Sequence, residues 1–199
     1  MQVTRSVASS ARRAQILDAT IAVVAEEGFA RATFARIAER GGLSSTRLIS
    51  YHFAGKDDLV AALVEHVVAG IGEHVGSRVS AADTARGRLA AYVEGVVSYA
   101  DTHRAPMSAL LQVAMAGAGG SAMDAPSDLS HLERILRGGQ EAGEMRSFDV
   151  AVMATTIQRA VETVPLALQA DPDLDCAAYA RELVELFDRA TRAEGRSEP

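Results

Sequence analysis

No proline occurs before Pro106, and no segment alternates apolar with polar residues for long enough to suggest a sheet. The first half of this 199-residue chain is therefore confined to helices punctuated by glycine. The first helix is expected from about Ser10 to Glu27, with Ser9 or Ser10 as N-cap and Gly28 as a left-handed stop. Ile16, Leu17, Thr20, Ile21, Val23 and Val24 form its buried stripe, leaving Arg12, Arg13 and Glu26 outside. A short helix follows from Thr33, its N-cap, to Arg40, and Gly41-Gly42 ends it. Phe34, Ile37 and Ala38 share one of its faces. A third helix begins near Ser44 or Ser45 and reaches about His52, with Leu48 and Tyr51 or His52 one turn apart.

Two short helices joined by a glycine-containing turn describe a helix-turn-helix over residues 33–53. The polar turn Ser45-Thr46-Arg47 suits a major groove about 12 Å wide, where an arginine pairs with guanine O6 and N7. Spacing alone leaves this open, since many ordinary helical pairs also turn on glycine. An acidic chain, net −6, argues against nucleic acid until the charge is divided by segment. Residues 1–56 carry eight Arg or Lys against four Asp or Glu, a net of +4, and the remainder a net of −10. A basic head on an acidic body is the expected arrangement.

The run Leu48-Ile49-Ser50-Tyr51-His52-Phe53-Ala54-Gly55-Lys56-Asp57-Asp58-Leu59 resembles the signature of the tetracycline-repressor (TetR) family of bacterial regulators. Arg13, Ile16, Leu17, Ala19, Gly28, Thr33, Ile37, Ala38, Gly42 and Ser44 also fall where that family's pattern places them. The resemblance covers about residues 10–70. It implies an all-α fold, with a three-helix DNA-binding head at 10–70 and a helical ligand-binding and dimerisation domain at 71–199. It also implies a role for each matching residue. Thr33 would contact phosphate at a helix N-terminus, and Ser45, Thr46 and Arg47 would face the bases. Tyr51 and His52 would lie against the DNA backbone, and Lys56 would hold a phosphate, while Phe34, Ile37, Leu43 and Phe53 would pack the head. Two features depart from the pattern: the interval from Gly42 to Tyr51 is one residue longer, and Ser50 stands where a phosphate-binding tyrosine is frequent. Arg5, Arg12 and Arg13 suggest either an arm for the minor groove or a mobile terminus.

The body reads as further helices: Asp57 to about Val75, Thr84–His103, one opening with Pro106 in its first turn, then 127–143, 150–169 and 175–192. Pro165 is expected to kink the helix over 150–169. By the resemblance, the last two form a dimer interface as a four-helix bundle. Their apolar stripes are Met153, Ile157, Val161, Val164 and Leu168 on one, and Tyr179, Leu183, Leu186 and Phe187 on the other. The same stripes equally suit the monomer's own core. An internal pocket for an effector is likewise implied, with Tyr92, Tyr99, Met107, Leu111, Met115 and Met153 as its candidate lining or as simple core. With aromatics scarce, an aliphatic or mixed ligand is expected.

Other chemistries find little support. Residues 117–127 resemble a phosphate loop only superficially, because no strand precedes them and no Lys-Ser/Thr follows. Asp171, Asp173, Asp175 and Glu182 have calcium-loop spacing, but Cys176 stands in place of the glycine, and acidic capping of the last helix accounts for them. Cys176 is the single cysteine, without a resolving partner or a basic neighbour. No catalytic, metal or cofactor pattern is present, no apolar run approaches about 20 residues, and no export signal opens the chain. The expectation is a cytoplasmic, ligand-responsive regulator, usually a repressor in this family, that binds a palindromic double-stranded DNA operator as a homodimer. The competing classes are a helical enzyme with a vestigial head and a ligand-independent architectural DNA binder.

Overall fold

The structure, a computed structural model, describes residues 2–118 and 129–193, with side chains from residue 9 onward. The described residues are helical apart from turns and one isolated antiparallel bridge between Met145 and Arg192. They divide into two compact units, residues 2–69 with 103–118 and residues 70–102 with 129–193. The loop expected over 117–127 lies outside the described residues beyond Ala118, as does the side chain of Arg5.

The first unit holds α1 (Gln2–Glu27), a 3₁₀ turn (Phe29–Arg31), α2 (Phe34–Arg40), α3 (Arg47–His52), the first part of α4 (Lys56–Ser80) and α6 (Arg104–Met115). Helix α1 begins well before the expected start, so Ser9 and Ser10 lie inside it rather than capping it. Its buried stripe is as read from the sequence: Ile16, Leu17, Thr20, Ile21, Val23 and Val24 are all inside. The buried Thr20 hydroxyl donates to Ile16 O at 2.7 Å, which removes the cost of burying a polar group. Ile37, Ile49, Phe53, Leu59 and Leu63 complete this core, each 0–1% exposed. Helix α4 is long and apolar enough to cross a membrane by length and composition. Its Leu59, Leu63 and Val67 are nevertheless buried, which marks it as a core helix.

Gly28 ends α1 at φ 94°, ψ 152° rather than in the left-handed helical region expected of it. That region of backbone is essentially restricted to glycine. Gly28→Ala is therefore expected to cost about 1–3 kcal/mol, read as a lower urea midpoint with unchanged slope. An unchanged midpoint would mean that the turn has an unstrained alternative.

The second unit is arranged around α5 (Ala85–Thr102), which packs against α7 (Ser130–Glu141), α8 (Val150–Glu162), α9 (Val164–Ala170) and α10 (Cys176–Thr191). Leu89, Val93, Val97 and Ala100 recur along α5 at intervals of three and four, so one face of that helix enters the core. Asp149 and Asp175 cap α8 and α10 by accepting from Val152 N at 3.0 Å and Ala178 N at 2.8 Å. Asp175 thus serves a helix start, and no group of metal ligands forms among the described residues. The single kinked helix expected over 150–169 is two helices that break at Thr163. Pro165 occupies the first turn of α9, where its missing N–H costs nothing.

Arg86 joins α5 to α10 through Asp188, with Nε to Oδ1 at 2.6 Å and Nη2 to Oδ2 at 2.8 Å. The guanidinium holds the Asp188 carboxyl below its ordinary range, chiefly through these hydrogen bonds.

Candidate nucleic-acid interface

Helix α2 starts on Thr33, whose backbone is extended and whose Oγ1 accepts from Arg36 N at 3.3 Å. Arg36 N–H is thereby satisfied, whereas the N–H groups of Phe34 and Ala35 precede the first partner the helix itself can offer. The helix ends in a paired-bond glycine cap: Leu43 N donates to Ala38 O at 2.8 Å and Gly42 N to Glu39 O at 3.2 Å. Gly42, at φ 60°, supplies the left-handed residue that this cap needs. Gly41 lies so close to Ala19 of α1 that a Cβ there would sit 3.0 Å from the alanine methyl.

Helix α3 is one and a half turns long and begins at Arg47, later than expected, so Ser45 and Thr46 precede it. Ser45 Oγ accepts from Arg47 N at 3.1 Å and so shapes the turn. Ile49 and Phe53 point inward, while Ser45, Thr46, Arg47 and Ser50 are exposed and Tyr51 is 81% exposed. Leu48 and Tyr51, expected one turn apart, do not supply the buried contact of this helix. Leu48 is half-buried, and Ile49 is the residue at the core. Phe34 and Leu43, expected in the core, are half-buried.

Arg13 does not face outward. Its Nη1 donates to His52 O at 3.0 Å, and its guanidinium stacks 4.2 Å from the centre of the Phe53 ring. It therefore caps the C-terminal end of α3, where a cation offsets the negative end of the helix dipole. His52 is half-buried with its ring edge-on to Tyr51, the centroids 5.1 Å apart. A long side chain with an apolar stem gives no sequence signal of which way it lies.

The head's charge is unevenly available. Arg36 pairs with Glu27 at 2.9 Å and with Glu39 at 3.0 Å, and Arg40 pairs with Glu26 at 2.5 Å. Arg47, by contrast, is exposed and carries no ion pair among the described residues. Lys56, the first residue of α4, is exposed and rests on the 3₁₀ turn, with Nζ 3.5 Å from Phe29 O and 4.5 Å from the Phe29 ring centre. Asp58 accepts from Ala54 N at 2.8 Å, bracing the chain just before Lys56.

The candidate effector residues fall in both units. Met107 is buried, Leu111 half-buried and Met115 74% exposed, all on α6 of the first unit. In the second unit Tyr99 is buried, while Tyr92 and Met153 are half-buried against the core. Tyr99 lies edge-on to His74 with ring centroids 5.5 Å apart. The Tyr92 hydroxyl donates to Gln158 Oε1, whose amide donates to Glu162 at 2.8 Å. Burial, with the Glu162 charge adding to it, pushes the Tyr92 phenol up to about 12, so it stays a donor.

Of the stripes expected at a dimer interface, Ile157, Val161, Val164, Leu168 and Phe187 are buried in the chain's own core. Apolar periodicity had identified their burial and not the surface they bury against. Val152, Leu166 and Leu186 are the exposed large apolar residues on these helices, at 64, 54 and 57%.

Residues 16–63 match the family model of bacterial regulatory proteins, tetR family. The regulator BetI 2 of Chromohalobacter salexigens, described as an HTH-type transcriptional regulator, is 37% identical over 86 residues, 42% of this chain and 41% of the relative. The chain thus matches about two fifths of that relative's length. Among solved structures, a tetR-family regulatory protein from Rhodococcus RHA1 superimposes with a TM-score of 0.78 at 21% identity, covering 92% of this chain and 98% of that one. AibR, solved in complex with isovaleryl coenzyme A and operator DNA, does so with a TM-score of 0.73 at 19% identity, over 88% and 97% of the two chains. Both likenesses extend the helical fold through the body.

Proposed function

We propose that the chain is, through its head, a member of the tetR family of bacterial regulatory proteins, and that it is a cytoplasmic repressor that binds a palindromic operator as a homodimer and is released by a small-molecule effector. The observation that carries this reading is the turn before α3. Ser45, Thr46 and Arg47 are all exposed, and Arg47 remains uncommitted while its neighbours Arg36 and Arg40 are paired. An exposed polar turn with a free guanidinium is what base-edge reading requires. Thr33, Tyr51, His52 and Lys56 supply backbone contacts in this reading, which fix orientation without reading sequence.

The dimer forms through the outward side of α8, α9 and α10. Val152, Leu166 and Leu186 are the large apolar groups exposed there, and a two-fold protein matches a two-fold operator. The effector occupies the helical body, with the Tyr92–Gln158–Glu162 network as its polar wall and Tyr99 and Met153 as apolar candidates. Met107, Leu111 and Met115, on α6, are separate candidates within the first unit. Because AibR was solved with an acyl coenzyme A ligand, isovaleryl coenzyme A is a direct first probe.

The test is binding of the purified chain to fragments of its own promoter region at several salt concentrations, with genome-fragment selection to define the operator. Nanomolar binding that weakens steeply with salt supports the reading. Salt-insensitive or absent binding across these fragments overturns it. Arg47→Ala is expected to relax base preference, losing about 1–3 kcal/mol of discrimination. Lys56→Ala is expected to weaken all sequences alike and to reduce the salt slope by about one. Equal losses of discrimination in both variants would remove the distinction drawn between them.

A further inference from the structure

One side chain on α6 reaches the turn on which Lys56 rests. Gln112 Oε1 accepts from Phe29 N at 3.2 Å, and its amide nitrogen lies 3.5 Å from Ala25 O and 3.4 Å from Ser108 Oγ. Ala25 O is in the last turn of α1, where carbonyls lack a helical partner, and Phe29 N–H follows Gly28, where the helix has already ended. A single carboxamide, with donor and acceptor at one tip, answers both needs. The Phe29 peptide is then held on two sides: Gln112 fixes its N–H, while its carbonyl and ring receive the Lys56 ammonium. A Cβ at Gly28 would meet Gln112 Oε1 at 3.6 Å, an ordinary contact, so it is the positive φ of 94° and not space that calls for glycine there.

We propose that Gln112 is a positioning residue for DNA binding: it fixes Phe29, and Phe29 in turn aims Lys56. This rests on reading Lys56 as a phosphate contact. The three groups lie within the first unit, and Gln112 stands on α6, the only helix of that unit drawn from beyond α4 among the described residues. The contact order Gln112, Phe29, Lys56 gives α6 a direct route to one DNA contact, and any displacement of α6 against α1 changes where that ammonium sits.

A thermodynamic cycle between Gln112→Leu and Lys56→Ala tests this on the full chain with operator DNA. Gln112→Leu is expected to weaken binding about threefold to tenfold, the size of one net hydrogen-bonded contact. The loss should come with a reduced salt slope and should vanish in the Lys56→Ala background. A structural role alone would lower affinity with the slope unchanged, and additive effects of the two substitutions would likewise overturn the proposal. A second measurement needs no DNA. In the free protein the Lys56 ε-methylene protons should carry an upfield ring-current shift from Phe29, and Gln112→Leu should remove it. Persistence of that shift overturns the positioning role. If the wild-type chain shows no salt-dependent DNA binding, the DNA reading fails, whereas the proton shifts still decide whether Gln112 governs Lys56. Gln112→Asn, which keeps the amide but withdraws it by one methylene, carries the same test should the leucine variant fail to fold.

Discussion

Phe53→Ala is expected to destabilise the head by about 3–5 kcal/mol, the range for truncating a buried aromatic ring. The ring is 1% exposed at the end of α3, and it is the surface on which the Arg13 guanidinium stacks. Truncation therefore opens a cavity and also strands Arg13, whose bond to His52 O holds the last turn of α3. Denaturant unfolding followed by circular dichroism measures the loss, and hydrogen exchange should show the amides of α3 opening first. Loss of less than about 1 kcal/mol would mean that the neighbouring side chains collapse into the space. Arg13→Leu offers a finer reading: it keeps apolar contact with Phe53 but loses the cap, so a drop in DNA affinity with little change in stability would assign the arginine to shaping α3.

Leu186→Asp combined with Val152→Asp is expected to convert the proposed dimer into a monomer. Both side chains are more than half exposed, so the fold tolerates the charges, whereas a buried apolar interface does not. Sedimentation should report half the mass, and operator affinity should fall by about two to four orders of magnitude as the linked second half-site is lost. A dimer that survives both substitutions would place the interface elsewhere. Ile157→Asp is a poor substitute for this experiment, because that residue is 0% exposed and its replacement would test folding instead.

The head was legible because its punctuation is rigid. Thr33 caps α2, Gly42 takes positive φ, and the Tyr51-His52-Phe53 segment ends α3 before Lys56 opens α4. The inward residue of α3 was not legible. Leu48 and Ile49 are adjacent and both apolar, and on a helix of six residues the choice between them depends on where the helix starts. One residue of error turns the face by about 100°. The break at Thr163 escaped for a related reason: a proline that kinks one helix and a proline in the first turn of the next leave the same local pattern. Gln112 carried no signal at all, because its partners Ala25 and Phe29 offer main-chain atoms. In the body, apolar periodicity identified Ile157 and Phe187 as buried, and only coordinates could say that their own chain buries them.

The ion pairs of α2 also bear on how such a protein finds its site. Non-specific attraction to DNA grows with the number of phosphates a protein can neutralise. Arg36 and Arg40 are held by Glu27, Glu39 and Glu26, so two of the head's cations contribute little to that general attraction. Each encounter with a wrong sequence is then brief. Under the proposed function, the search is spent more in free diffusion than in sliding, and a larger share of the molecules stays off non-specific DNA.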